Sequence, residues 1–239
     1  MKKTKGSIML LLAAFFWGTT FVAQTTASDQ IGTFTFNGSR SIVGAAFLAI
    51  LILARTGMKK QKAKVSGEPV EKENIKRTVI GGILCGCVLF FATNLQQSGI
   101  AAYPEGVASS GRSGFLTATY VVMVAIVSGL LGKKLHKIVY VAVFVCLGGM
   151  YMMCMSGGID NLYFGVLLGL LCAVCFTGHI LTVDHFNDCD SVKISCIQII
   201  TNGVLSLICM AIFEQPAWSN LAAAWFPILY AGIFSSGIA

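Results

Sequence analysis

Long apolar stretches alternate with polar joints along this chain, and each stretch has the length of a helix rather than of a strand. A helix that crosses a bilayer takes about 20 residues at a rise of about 1.5 Å each. Eight segments approach or meet that length, at 8–27, 34–54, 79–98, 106–131, 139–155, 163–183, 194–213 and from 225 onward. The joints are short except for 55–78, which is rich in Lys and Glu and reads as a flexible polar loop. The alternation of a transmembrane barrel, in segments of about ten residues separated by turns, is absent. The pattern predicts an all-α polytopic transmembrane helical bundle of about eight helices.

Composition removes the soluble alternatives. Hydrophobic residues make up 56% of the chain, charged residues 11%, and mean hydropathy is +0.79, so a soluble domain of this length would lack polar side chains to cover its surface. A net charge of +7 would suit nucleic acid, but the basic residues gather in one loop and in short helix flanks without interleaved aromatics, and no nucleic-acid partner is expected. Their placement says more. Of 17 Lys and Arg, all but Arg40 and Arg112 fall in alternate joints, around Lys2, from Arg55 to Arg77, around Lys134, and at Lys193. That asymmetry puts those joints and the N-terminus in the cytoplasm and the chain, multi-pass, in the cytoplasmic (plasma) membrane. The opening Met1-Lys2-Lys3-Thr4-Lys5 also fits a secretory signal peptide, but the apolar run continues through Ala23 and no small-x-small cleavage site precedes Ser28.

The two halves echo one another. An offset of 159 brings Gly6 onto Gly165, Leu11 onto Leu170, Leu12 onto Leu171, Ala14 onto Ala173 and Gly44 onto Gly203. An odd number of predicted helices separates the copies, so the second would enter the membrane from the opposite side. Inverted repeats of that kind mark secondary transporters, with solute bound near the midplane between the copies.

Intramembrane polar groups are the candidate chemistry. Arg40 and Arg112 each lie about 10 Å inside the outer end of their helices, level with each other. Two guanidinium groups at one depth suit bidentate capture of a carboxylate or phosphate; the competing reading is snorkelling, or pairing with a neighbouring carbonyl or with Glu105. Trp17 stands near mid-helix, away from the interfacial belt, where its indole N–H needs a partner and a cavity wall would supply one; tight packing beside Gly18 is the alternative. Thr20 and Gln24 share one helix face, Asn94 and Gln97 another. Each pair could bind a polar solute or tie helices together.

Nine cysteines raise a metal hypothesis, sharpest at Cys172, Cys175 and His179 on one helical face, but most behave as small hydrophobes and no metal site is expected. For an intramembrane enzyme of lipid metabolism, Ser109 and Ser110 offer a hydroxyl and Asp184, Asp188 and Asp190 an acidic cluster. The only histidines are His136, His179 and His185, of which His136 belongs to a basic cytoplasmic loop, a nucleophile and its base must come within hydrogen-bonding distance, and the acidic spacing matches no metal motif.

At this point particular residues carry a resemblance. Lys5-Gly6, Trp17-Gly18-Thr19-Thr20-Phe21-Val22-Ala23, Phe36 with Arg40, Tyr103, Ser109 to Gly111, Gly114-Phe115-Leu116-Thr117, Tyr120-Val121-Val122 and Leu147-Gly148-Gly149-Met150-Tyr151 resemble an EamA-type member of the drug/metabolite transporter superfamily. The resemblance implies inverted five-helix repeats, the first at 6–157 and a partial second at 163–239, with the remaining helices missing beyond Ala239. It implies alternating-access transport of small metabolites or drugs, including amino-acid-like or other small polar organic solutes, as an exporter or permease, with no enzyme activity and no cofactor. An inactive truncated transporter is the second alternative. The substrate-binding set expected is Trp17, Thr20, Gln24, Arg40, Asn94, Gln97, Arg112 and Tyr120; the partners expected are a small-molecule solute, the lipid bilayer and a second copy in a homodimer. Lys133 and Ala125 depart from the family pattern, which carries an acidic residue and often Pro there.

Overall fold

A computed structural model describes residues 2–66, 74–104, 108–132, 137–155 and 164–238. Among these, every regular element is helical: α1 (Lys2–Ser28), α2 (Thr33–Ser66), α3 (Ile75–Ala101), α4 (Ser109–Ala118), α5 (Tyr120–Leu130), α6 (Lys137–Met155), α7 (Phe164–His185), α8 (Ser191–Phe213), α9 (Trp218–Ala223) and α10 (Trp225–Tyr230), which runs into a π-helical segment, Ala231–Ile238. Six of the described helices, with α4 and α5 counted as one, are long and apolar enough to span a bilayer, and Lys137–Gly149 and Trp225–Ile238 are shorter apolar helices.

The polarity of the bundle is that of a chain dissolved in lipid. Leu10 is 73% and Phe144 75% exposed, while Asn37 and Gln97 are fully buried. In water that arrangement would forfeit apolar burial and strand amides inside; in hydrocarbon the apolar surface is matched by its solvent and the amides satisfy one another. The chain is a multi-pass helical membrane protein.

Helix α3 packs on α7 and α8, α2 on α8, and the π-helical segment on α2 and α1, with α6 at the edge against α4 and α5. Glycines permit the closest approaches. A Cβ on Gly86 of α3 would stand 2.5 Å from Thr201 Cβ of α8, and one on Gly203 of α8 would stand 2.9 Å from Ser41 Cβ of α2. Such small-residue contacts suit helices that associate without a hydrophobic drive.

Helix ends define two faces of the bundle. On one, Glu214 at the end of α8 accepts hydrogen bonds from Phe34 N (2.9 Å) and Thr35 N (2.8 Å), capping the start of α2. At the same face the α1 residue Thr25 meets Ser109 at the start of α4, hydroxyl to hydroxyl at 3.4 Å. On the other face Asn74 caps α3 and Asp190 caps α8. There Arg77 grips Asp188 through Nε at 2.8 Å and Nη2 at 3.1 Å.

Two expectations change. Helix α2 runs on to Ser66, through the Lys-rich stretch expected as loop, because Lys, Gln, Ala and Met are strong helix formers once past the apolar span; the remainder at 67–73 lies outside the described residues, as do Glu105, Lys133 and Lys134. The fourth span is interrupted at Thr119 between α4 and α5, where the Thr119 hydroxyl bonds back to the Leu116 carbonyl and competes with the helical ladder.

Candidate functional site

A cavity of about 720 Å³ lies within the bundle, walled by α1, α2, α3, α4, α5, α7, α8 and the π-helical segment. Its wall has a polar and an aromatic part. Thr20 and Gln24 come from α1, Thr93 and Gln96 from α3, Thr117 from α4, His179 from α7, Gln198 and Asn202 from α8, and Ser235 and Ser236 from the π-helical segment; Trp17, Phe21, Phe115, Tyr120 and Phe176 supply rings.

The polar wall is held by hydrogen bonds between helices. Gln24 Nε2 donates to Gln96 Oε1 at 3.0 Å, and Gln96 Nε2 donates to Thr117 Oγ1 at 3.3 Å, joining α1, α3 and α4. Thr93 Oγ1 donates to Asn202 Oδ1 at 3.2 Å, and Asn202 Nδ2 to Ser41 Oγ at 3.1 Å, joining α3, α8 and α2. Within the membrane each bond keeps a buried polar group from standing unsatisfied in hydrocarbon. The result is a rigid polar surface set into an otherwise apolar bundle.

Arg40 is the single charged side chain that α2 or any other described element contributes to the lining. It is 5% exposed, its guanidinium sits 5.4 Å from the Phe36 ring centroid, and its Nε has no hydrogen-bond partner. Among the described residues no acidic side chain lines the cavity.

Of the residues expected to bind solute, Trp17, Thr20, Gln24, Arg40 and Tyr120 share this lining, and Asn94, Gln97 and Arg112 do not. Asn94 sits in the helix seam, accepting from Asn37 Nδ2 at 2.9 Å and donating to Ser206 Oγ at 3.3 Å. Gln97 donates to the Gln24 carbonyl at 3.1 Å. Arg112 is half-buried one residue beyond Gly111, and Glu105, expected as a partner for one of the arginines, is outside the described residues.

The Cys–Cys–His face divides between neighbours. Thr117 Oγ1 lies 3.9 Å from Cys172 Sγ, while His179 Nε2 is 3.0 Å from Gln198 Oε1 and its ring lines the cavity. Among the described residues no group of three His, Cys, Asp or Glu is placed to hold a metal ion. The acidic cluster is dispersed in the same way: Asp190 caps α8, accepting from Val192 N at 3.0 Å, and hydrogen bonding to Arg77 holds the Asp188 carboxyl below the usual carboxylate range. His136 lies outside the described residues.

Fold and cavity together define a polytopic helical membrane protein with a polar chamber among its helices. Residues 4–155, more than half of the chain, match the model of the EamA-like transporter family, and the chain belongs to that family. It is similar to an uncharacterized transporter of the archaeon Archaeoglobus fulgidus, 24% identical over 188 residues, 78% of this chain and 51% of that protein; the chain thus spans about half the length of this curated relative. A crystal structure with 18% sequence identity superposes at a TM-score of 0.67, covering 98% of this chain and 78% of the other, a likeness of fold.

Proposed function

We propose that the protein transports small organic solutes across the cytoplasmic membrane by alternating access. The observation that carries the reading is the chamber: about 720 Å³, the size of a small-molecule site, with hydrogen-bonding amides and hydroxyls where a purely structural seam would be closed.

The helix packing supports two inverted halves at 6–157 and 163–239. Exchanging α1 with α7, α2 with α8, and α3 with α10 and its π-helical continuation maps α2·α8 onto itself. The same exchange maps α3·α8 onto the π segment with α2, and α3·α7 onto the π segment with α1, and each of these pairs packs together. Such halves can rock about a fixed site, opening it to each side in turn. Lys and Arg placement favours the α3 and α8 N-terminal face as cytoplasmic, with the N-terminus on that side.

Against the lipid-enzyme alternative stand the bond of Ser109 to Thr25 and the use of two of the three clustered aspartates in a cap and an ion pair. Replacing Gly114 by Trp tests the reading. A Cβ there would already stand 3.3 Å from the Phe21 ring, so an indole fills the chamber. Protein-dependent solute uptake by vesicles should then disappear at equal membrane abundance; undiminished uptake would place the pathway elsewhere.

A further inference from the structure

We propose that the cavity selects small organic monocarboxylates with an apolar, aromatic body, with the carboxylate on Arg40. This deepens the transporter reading and rests on it for the role of the cavity.

The charge argument comes first. An ionised Arg in a membrane interior is costly unless paired. Arg40 is 5% exposed and its Nε has no partner. The described acids are all placed elsewhere: Asp29 is exposed at the end of α1, Glu214 is spent on the start of α2, and Asp184, Asp188 and Asp190 belong to the opposite face. Among the described residues none supplies that anion, and the proposal assigns it to the solute. Lined by one cation, the site balances a monoanion and leaves a phosphate dianion in excess, which favours a carboxylate; the planar guanidinium fork matches that group bidentately.

His179 turns its ring to the same chamber, but Gln198 Oε1 accepts from its Nε2 at 3.0 Å and its Nδ1 is buried away from the cavity, so it offers a solute a ring and no hydrogen bond.

Trp17, Phe21, Tyr120 and Phe176 add rings to the same lining, so the body carried by the carboxylate is apolar and flat.

A matched pair tests this on the purified full chain in neutral detergent, by titration calorimetry with 3-(4-hydroxyphenyl)propionate and with tyramine, which replaces the carboxylate by an ammonium. The acid should bind and tyramine at least about tenfold more weakly. Arg40→Gln should erase that preference. Because loss of a buried charge also changes folding, the pair measured on the unsubstituted protein stands by itself. Tyramine binding as well as the acid, or binding of neither, overturns the proposal. Vesicle uptake separates the two readings. Selective binding of the acid without its uptake leaves the selectivity and removes the transporter reading, whereas uptake of tyramine but not of the acid does the reverse.

Discussion

Glu214 fastens the two halves of the sequence at one face of the bundle, and its removal is the sharpest structural perturbation available. Its carboxylate takes Phe34 N at 2.9 Å, Thr35 N at 2.8 Å and Thr35 Oγ1 at 2.6 Å. These amides open α2, so the carboxylate acts as a cap supplied from 180 residues away in sequence. Loss of a cap costs about 0.5–2 kcal/mol, loss of favourable charge at a helix N-terminus about 0.3–1 kcal/mol, and hydrogen bonds to a charged acceptor about 1.5–3 kcal/mol each before solvent replaces them. Glu214 is half-buried, so water recovers part of this, and Glu214→Ala should destabilise by about 2–3 kcal/mol. Equilibrium unfolding in mixed detergent with increasing dodecyl sulfate reads that difference, and hydrogen exchange at the Phe34 and Thr35 amides shows whether it is local. Gly32→Ala should reproduce much of the loss, because a Cβ there collides with the Glu214 carboxylate, and the two changes should not add. A Glu214→Ala effect below about 0.5 kcal/mol, or exchange that rises evenly along α2, would refute the reasoning.

Gly86→Leu should destabilise by at least about 1–3 kcal/mol in the same unfolding assay, since its Cβ would stand 2.5 Å from Thr201 Cβ and 2.8 Å from the Gln198 carbonyl oxygen; a neutral result would mean that α3 and α8 pack less closely than described. Gln61→Cys, near the basic end of α2, should resist an impermeant thiol reagent applied to intact cells and react in opened membranes, and labelling in intact cells would invert the topology. Replacing Cys172 and Cys175 together by Ala should leave solute flux and metal content unchanged, whereas stoichiometric zinc or copper lost with those side chains would reinstate a metal site.

The spans were legible because hydropathy reports the bilayer directly: the expected 79–98 and 194–213 sit inside α3 and α8. Where a helix outlives the bilayer the same signal goes silent, and α2 continues to Ser66 on helix propensity alone. The π-helical segment and short α9 have no periodic signature in so apolar a stretch. Arg40 and Trp17 stood out because a charge or a ring needs a reason at mid-membrane, whereas Tyr120 entered through the family resemblance. The amides of α3 were harder. Thr93 and Gln96 line the chamber while Asn94 and Gln97, one position later on each, face the helix seams. One residue is about 100° of helix rotation, and in the run Thr93-Asn94-Leu95-Gln96-Gln97 polar groups occupy both faces, so the sequence could not say which one met the cavity. His179 was visible only as a metal-ligand candidate, because its partner Gln198 comes from another helix.

The central claim is a chamber that opens alternately to the two sides, and sided labelling reads it without knowledge of the solute. Ser110 and Ser195 line the chamber near its opposite ends, close to the starts of α4 and α8. Each is replaced by Cys in a background lacking the native cysteines, in vesicles of known orientation, and an impermeant maleimide is applied from one side at a time. Alternating access predicts that Ser110→Cys is labelled from the outer side and Ser195→Cys from the cytoplasmic side, and that a condition which protects one exposes the other. Equal labelling of both that no condition moves in opposite directions, or access to the chamber from one side alone, would contradict the account.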